Sequence, residues 1–179
     1  MKYTLNLFLL FVMTIIAFFI TPFLPAFAVW RDGPIDNNNR TGKEFRLPLW
    51  LSWFDTPDNS LFGDNNWNMT HDGGYLSQVA WLYRNSLYGF KWGFLSAPVD
   101  QPITYVGDPS INRNNGKCGV FKAQMGKYWE YKIVKKIYGN RGIMFDFGWL
   151  LNAYVSDPHL VKTQPKALFQ FSPRIVTIK

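Results

Sequence analysis

The chain has 179 residues, of which 47% are hydrophobic, 18% aromatic and 17% charged. This length and apolar content predict one ordinary domain with a targeting or anchoring segment, and they exclude a disordered protein. The single cysteine, Cys118, excludes an intramolecular disulfide, a four-cysteine zinc site and a CxxC redox pair. Because Cys118 lies at the entry to a predicted strand, we expect its side chain to be a small core residue.

The net charge of +7 is unevenly distributed along the chain. Residues 1–100 contain 7 Lys and Arg against 8 acids, whereas residues 101–179 contain 12 against 4. A basic half indicates an anionic partner, such as lipid headgroups, nucleic acid or an acidic protein surface. The alternative, a solvated face that lysines keep soluble, is the interpretation we favour.

Residues 1–28 form an almost uninterrupted apolar segment, and a membrane-spanning helix needs about 20 such residues. The sequence at 26–28, Ala-Phe-Ala, also fits a signal-peptidase site, so the segment is either an uncleaved anchor or a cleaved signal peptide. We favour the anchor, because the apolar run is long for a signal peptide and basic residues follow it more densely than they precede it.

Residues 29–46 are polar and rich in turn-forming residues, and we predict a linker there. The remaining residues, 47–179, are predicted to form one small domain. No metal site and no cofactor are predicted. Asp64 opens an alternating pattern typical of a calcium loop, but Met69 and Tyr75 stand where that loop needs Gly and Glu.

The segment LPLWLSWF at residues 47–54 has apolar residues at the spacing of one helix face. Tryptophan close to Lys and Arg is typical of a helix that lies on a bilayer surface. The alternative is that this stripe packs on the aromatic face of the predicted sheet. The candidate interfacial residues are Leu47, Trp50, Leu51, Trp53 and Phe54.

The rest of the chain predicts one helix, one long loop and three strands. The helix covers about residues 75–88 and buries Tyr75, Leu76, Val79, Leu82, Tyr83 and Leu87. Residues 98–117 are rich in Pro, Gly and Asn and predict a long loop.

From Gly119 the apolar period changes to two, which predicts an antiparallel meander and an α+β fold with an N-terminal hydrophobic helix. We expect the meander to bury its aromatic residues, including Trp129 and Tyr131, and to expose Glu130 and Lys132. Nucleic acid is not an expected partner, because no aromatic residues lie among the lysines of that exposed face.

No catalytic motif is complete. His71 and Asp72 could form an acid–base couple, with Asp58 or Asp64 nearby, but we favour a helix cap or turn for Asp72. His159 follows Asp157-Pro158 and is expected in a solvent-facing turn. We therefore predict no catalytic residue.

Three aromatic segments are distinctive: Leu47-Pro48 with Trp50 to Asn59, then Gly63-Asp64, then Trp81 to Phe90. With the apolar N-terminus and the closing FQFSPR, they make most of the chain resemble a family of uncharacterised proteins encoded by tailed bacteriophages. The resemblance implies a phage or prophage origin and a bacterial host membrane, and it carries no assigned activity. The motif residues of unknown role are Asp55, Pro57, Asp58, Asn59, Asp64, Trp81, Arg84, Asn85, Tyr88 and Gly89.

Three functions compete. The first and favoured one is a non-enzymatic accessory protein at the host inner membrane, bound to lipid and to a host or phage envelope protein; a cleaved N-terminus would instead export it to the periplasm. The second is a virion structural or DNA-ejection component. The third is an enzyme acting on lipid or cell wall. The sequence leaves the oligomeric state open.

Overall fold

The computed structural model describes residues 2–32, 42–112 and 115–178, which belong to two compact units, Met1–Leu95 and Ser96–Lys179. The predicted α+β class is confirmed: a long apolar helix opens the chain, shorter helices follow, and the second unit is built on an antiparallel sheet. The boundary between the units falls inside residues 47–179, which the sequence predicts as one domain.

Helices form most of the first unit. Its elements in chain order are α1 (Lys2–Ile20), a first 3₁₀ helix (Thr21–Phe27), β1 (Val29–Asp32), β2 (Lys43–Arg46), a second 3₁₀ helix (Leu49–Phe54), α2 (Asn65–Asn68), α3 (Tyr75–Arg84), α4 (Tyr88–Phe90) and a π-helix (Lys91–Leu95). The α-helical hydrogen bonding ends just before Pro22, because proline lacks an N–H and clashes with the preceding turn.

The predicted linker contains a two-stranded ladder. Val29 pairs with Arg46 and Asp32 pairs with Lys43, so β1 and β2 are antiparallel neighbours. The polar composition of residues 29–46 does not predict these strands, because they form by pairing between residues far apart in sequence. Both ends of the predicted linker over residues 29–46 are therefore paired strands, and residues 33–41 lie outside the described residues.

The second 3₁₀ helix replaces the α-helix expected within residues 47–54. Three residues per turn place Trp50 and Trp53 on one side and Leu51 and Phe54 on another. The two tryptophans are exposed, whereas Leu51 and Phe54 are buried. The predicted single apolar stripe assumed an α-helical period and is therefore wrong.

The helix predicted over residues 75–88 ends early, at Arg84. Leu87 takes a left-handed conformation with φ of 60°, which breaks the helix between α3 and α4. Only part of the predicted core is buried: Leu82 and Leu87 are, whereas Tyr75, Leu76 and Tyr83 are exposed.

Antiparallel strands form about half of the second unit. Its elements are β3 (Ala97–Pro98), β4 (Thr104–Gly107), β5 (Gly119–Met125), β6 (Tyr128–Tyr138), β7 (Arg141–Trp149), α5 (Asn152–Ser156), α6 (Leu160–Thr163), β8 (Lys166–Ala167), β9 (Phe169–Phe171) and β10 (Arg174–Thr177). The main sheet has the order β10-β7-β6-β5-β4, and β9 also pairs with β7. The predicted meander is confirmed, but the loop predicted over residues 98–117 contains β4, an edge strand.

The main sheet buries the face that the sequence predicts to be exposed. Glu130 and Lys132 are each 2% exposed and Asp146 is 3% exposed, whereas Tyr131 and Phe147 are only partly buried. The alternation is confirmed and the assignment of its two faces is wrong. The charged residues can be buried because Lys132 pairs in register with Asp146, so opposite charges neutralise each other inside the unit.

Candidate functional site

One segment among the described residues, Lys2–Phe27, is long and apolar enough to cross a membrane. A membrane anchor and a signal sequence both have this property. Near the C-terminal end of α1, the first unit displays a group of exposed apolar and aromatic side chains, which we name the aromatic collar. Its members are Phe18, Phe19, Phe23, Phe27, Leu49, Trp50, Trp53, Tyr75, Leu76, Tyr83 and Phe94.

The collar is held together by contacts between distant parts of the unit. The Tyr75 hydroxyl donates to the carbonyl of Pro22 at 2.7 Å, and the Tyr83 hydroxyl donates to the carbonyl of Phe18 at 2.7 Å. The ring of Phe27 lies 6.0 Å from that of Trp50 in an edge-on arrangement. α3 and the second 3₁₀ helix are therefore fixed against the end of the apolar segment.

The predicted interfacial residues divide between the collar and the core. Trp50 is 70% exposed and Trp53 is 45% exposed, whereas Leu47, Leu51 and Phe54 are buried. One side of the short helix is thus packed inside the first unit, whereas the other side is exposed. The alternative hypothesis, packing on the aromatic face of the sheet, stays a prediction. The membrane role itself stays a prediction.

A cleft of about 390 Å³ opens beside the collar within the first unit. Its lining includes the charged residues Arg31, Asp32, Arg46 and Asp55 and the apolar residues Leu49, Trp53, Trp92 and Phe94. The cleft therefore combines buried charge with an aromatic wall, which is the usual composition of a small-molecule site.

Arg46 is fully committed to partners inside the protein. Its guanidinium contacts Glu44 at 2.6 Å, donates to the carbonyl of Thr56 at 2.7 Å, and lies 3.8 Å from the Asp55 carboxylate. Arg31 is more exposed: its Nε donates to the Leu47 carbonyl at 2.7 Å and its Nη2 lies 3.4 Å from Asp55. Two arginines thus share one buried aspartate.

Asp55 titrates unusually for a residue that contacts arginine. Burial raises its pKa to about 6, and the charge of Arg46 and the hydrogen bond from the Thr56 amide only partly oppose that rise. The desolvation of the carboxylate exceeds the attraction of its neighbours. Among the motif residues named from the sequence, Asp55 is therefore the one whose pKa is raised by burial.

Several other motif residues have structural roles, which their hydrogen bonds and ring contacts explain. Asp64 caps α2 by accepting from the Trp67 amide at 2.8 Å, and Asn85 donates to the Trp81 carbonyl at 3.1 Å. Arg84 lies over the rings of Trp67 and Trp81, at 5.3 and 5.5 Å from their centroids. These contacts hold α2 and α3 in place.

The remaining motif residues surround the second 3₁₀ helix. Gly89 donates its amide to the Asp55 carbonyl at 3.0 Å, and a Cβ at Gly89 would lie only 2.1 Å from the Ser52 carbonyl oxygen. Pro57 lines the cleft, and the carbonyl of Asn59 accepts from the Thr56 hydroxyl at 2.8 Å. Asp58 is exposed and Tyr88 is partly buried, and the structure places neither in the cleft.

The acid–base couple considered for His71 and Asp72 does not have catalytic geometry. His71 stacks on the Trp67 ring at 3.5 Å, and its Nδ1 bonds the Thr70 hydroxyl and the Trp67 carbonyl. Asp72 accepts from the Gly74 amide two residues on and from the Ser77 hydroxyl, so of the predicted cap or turn the turn is confirmed, and the N-cap of α3 is Gly74. Within residues 2–32, 42–112 and 115–178, no group of three or more His, Cys, Asp or Glu could hold a metal.

Two other expectations concern single side chains of the second unit. His159 is exposed at the start of α6, which confirms the solvent-facing turn. Cys118 is exposed as well, so its predicted burial in the core is wrong. It lies just before β5, where the chain has not yet entered the sheet.

The second unit holds a buried ionic triad. Lys132 Nζ lies 2.9 Å from Glu130 Oε1 and 3.4 Å from Asp146 Oδ2, and Glu130 Oε2 accepts from the amides of Leu151 and Asn152. Burial raises the pKa of Glu130 to about 7, while Lys132 lowers it. Burial raises the pKa of Asp146 in the same way. All three groups are buried, so the loss of any one of them would leave uncompensated charge inside the second unit.

The outer face of the sheet carries an aromatic row. Lys122, Tyr131, Phe147 and Phe171 are successive register partners across four strands, and Lys122 lies 5.4 Å from the Tyr131 ring centroid. The prediction against nucleic acid stays a prediction, but one of its premises, that aromatics are absent from among the lysines, is wrong on this face.

Sequence reasoning missed the cleft because its residues come from three separate segments. Arg31 lies in the segment predicted as a linker, and no sequence pattern points to Trp92 or Gly93. The motif around Asp55 is the sequence feature that points to this cleft, but it does not indicate that two arginines lie beside Asp55.

Comparisons with known proteins give one result. The model of one protein family, described as a family of unknown function (DUF7338), matches residues 1–177. No curated protein and no solved structure matches the chain.

Proposed function

Because the chain belongs to DUF7338, a family of unknown function, we propose its role from the first unit: it is a non-enzymatic, membrane-anchored accessory protein. The observation that carries the proposal is the aromatic collar at the end of α1. The 19 residues of α1 span about 28 Å at 1.5 Å per residue, close to the thickness of a bilayer's hydrocarbon core.

Tryptophan and tyrosine side chains concentrate where hydrocarbon meets water, because their rings are apolar while the indole N–H and the phenol hydroxyl can reach the headgroups. The collar gathers such side chains from α3 and the second 3₁₀ helix around the end of α1. In a bilayer, this arrangement seats the first unit in the interfacial layer with α1 crossing the hydrocarbon core.

The packing of the N-terminal segment supports an anchor that is retained. Ala17, Thr21 and Leu24 are buried, and Tyr75 and Tyr83 donate to carbonyls of the same segment. Cleavage after residue 28 would remove all of these partners. A segment that only directs export needs no such contacts with the mature protein.

The proposal also specifies the cellular location of the protein and the host in which it acts. The phage resemblance of the aromatic motifs supports a protein that a tailed bacteriophage directs to the inner membrane of its bacterial host. The absence of catalytic geometry around His71 and Asp72 supports a role in binding, with lipid and an envelope protein as partners. The exposed aromatic row of the second unit is a surface that such a protein could contact.

Cell fractionation with N-terminal sequencing tests the anchor. We expect the protein in the inner-membrane fraction with its original N-terminus, resistant to carbonate extraction. Recovery as a soluble protein with residues 1–28 intact would disprove membrane association. Recovery of a chain that starts at Val29 would disprove the retained anchor.

Site-directed labelling tests the collar separately. In a Cys118→Ser background, a fluorophore at Trp50→Cys should be quenched by brominated lipids and shielded from iodide in water. A fluorophore at Met69→Cys, which is 79% exposed and outside the collar, should behave in the opposite way. Equal accessibility of the two positions to iodide would show that the collar does not enter the bilayer.

A further inference from the structure

The cleft beside the collar shares residues with the surface proposed to meet lipid. Leu49, Trp53 and Phe94 line the cleft and also belong to the collar, with exposures of 74%, 45% and 58%. A molecule in the interfacial layer would therefore reach the cleft directly. The volume of about 390 Å³ lies in the range of small-molecule sites, which is roughly 300–1,000 Å³.

Arg31 is the cation that a ligand would meet in this cleft. Arg46 is buried and fully bonded to Glu44, Thr56 and Asp55. Arg31 is positioned by Leu47 and Asp55 through Nε and Nη2, and its Nη1 has no hydrogen bond to a described residue. Its side chain is 23% exposed. A guanidinium held in this way can donate to a phosphate oxygen.

The same cleft also contains groups that attract a positive charge. Asp32 is an exposed residue of its lining, and Trp53, Trp92 and Phe94 contribute the aromatic part of that lining. An ammonium group is attracted both by a carboxylate and by the faces of aromatic rings, most strongly by tryptophan.

The balance of charge selects between an anionic and a zwitterionic ligand. Two arginines and two aspartates line the cleft, and Glu44 adds a third carboxylate behind Arg46. A ligand with a net negative charge would leave its excess charge uncompensated. A ligand with one phosphate and one ammonium group matches both Arg31 and the part of the cleft that contains Asp32 and the aromatic residues.

We propose that this cleft binds the zwitterionic headgroup of a phospholipid, with the phosphate facing Arg31 and the ammonium facing Asp32 and the aromatic wall. The inference rests on the proposed membrane function and names the lipid class that the first unit recognises. The tryptophans of the cleft make binding observable by fluorescence.

The test uses the full chain in a non-ionic detergent that contains no phosphate. The probes are short-chain phosphatidylethanolamine, phosphatidylcholine and phosphatidylglycerol, together with inorganic phosphate. We expect the two zwitterionic lipids to bind about tenfold more tightly than phosphatidylglycerol, because only they carry the ammonium group. Equal or tighter binding of phosphatidylglycerol, or of inorganic phosphate, would overturn the proposal.

A pair of glycine variants shows whether binding occurs in the cleft. Gly93 lines the cleft and has no atom within 4 Å of where a Cβ would be placed, so Gly93→Leu adds an apolar side chain to the lining. Gly42 also has open space around it but lies outside the cleft lining, and Gly42→Leu is the matched control. We expect a loss of about tenfold in affinity for the zwitterionic lipids only in Gly93→Leu.

Charge is tested in the same assay with Arg31→Gln and with Arg141→Gln, an exposed arginine outside the cleft. Affinity should fall only in Arg31→Gln. Unchanged binding in both Gly93→Leu and Arg31→Gln would remove the cleft as the site. Lipid binding in detergent does not require insertion of the protein into a bilayer. If the headgroup test fails while the protein still fractionates with membranes, only the proposal of a headgroup site in the cleft is refuted. A soluble protein in cells refutes the proposed function instead.

Discussion

Replacing Lys132 by Met tests the buried triad of the second unit. The substitution keeps an apolar chain of similar length and removes the charge that lies 2.9 Å from Glu130 and 3.4 Å from Asp146. Removing one partner of a buried ionic group leaves uncompensated charge, which costs about 3–5 kcal/mol. We expect a loss of this size in the free energy of unfolding of the sheet at pH 7.5.

The penalty should depend on pH in a defined direction. Burial already raises the pKa of Glu130 to about 7, and Lys132 holds it down. Without Lys132 the carboxyls bind protons at higher pH in the folded state than in the wild type, and protonation removes the buried charge. The difference in stability between variant and wild type should therefore shrink as pH falls from 7.5 to 5.

Hydrogen exchange of the β6 and β7 amides, measured by mass spectrometry, reports the stability of this sheet in the intact protein. The matched control is Lys135→Met, which removes an exposed lysine from the same strand and should change protection little. A loss no larger in Lys132→Met than in Lys135→Met, or a loss independent of pH, would refute the reasoning.

Three further outcomes follow from single positions. Because the folded state raises the pKa of Asp55 from 3.8 to about 6, its contribution to stability, ~3 kcal/mol, is present below pH 4 and lost as pH rises through 6. Asp55→Asn should flatten this part of the pH dependence of unfolding; an unchanged slope would place the titration elsewhere. Gly89→Ala should destabilise the first unit by several kcal/mol, of order 2–4, because its Cβ would meet the Ser52 carbonyl at 2.1 Å, whereas Gly93→Ala should be tolerated. Equal melting temperatures of Gly89→Ala and Gly93→Ala would contradict the close approach at Gly89. Cys118 is exposed, so a maleimide should label the folded protein at the rate of a free thiol, and labelling only after denaturation would show the thiol to be buried.

The long elements could be predicted from local pattern alone. α1 follows from a continuous apolar run without charge, and the β6–β7 hairpin follows from alternation around the turn at Gly139. Both signals are strong because many successive residues repeat them. The short elements were less predictable, since β1, β2 and β4 depend on partners that lie far away in sequence.

The cleft shows why site residues are harder to predict than elements. Asp55 was singled out by its motif, but its pKa and its pairing depend on Arg31 and Arg46, which arrive through the β1–β2 ladder. A linear pattern contains no information about which charges become neighbours after folding. The desolvation that raises the pKa of Asp55 is likewise a property of the folded unit.

By itself, the sequence determined the class of fold, the apolar anchor or signal segment and the alternation of the meander, because each arises from the order of residues within one segment. Only the tertiary structure decided which face of the sheet is buried. Alternation gives two faces, one aromatic and one charged, and Lys132 can be buried only because Glu130 and Asp146 neutralise it. It also decided that Trp50 and Trp53 point outward, since the packing of Leu51 and Phe54 sets the rotation of that short helix.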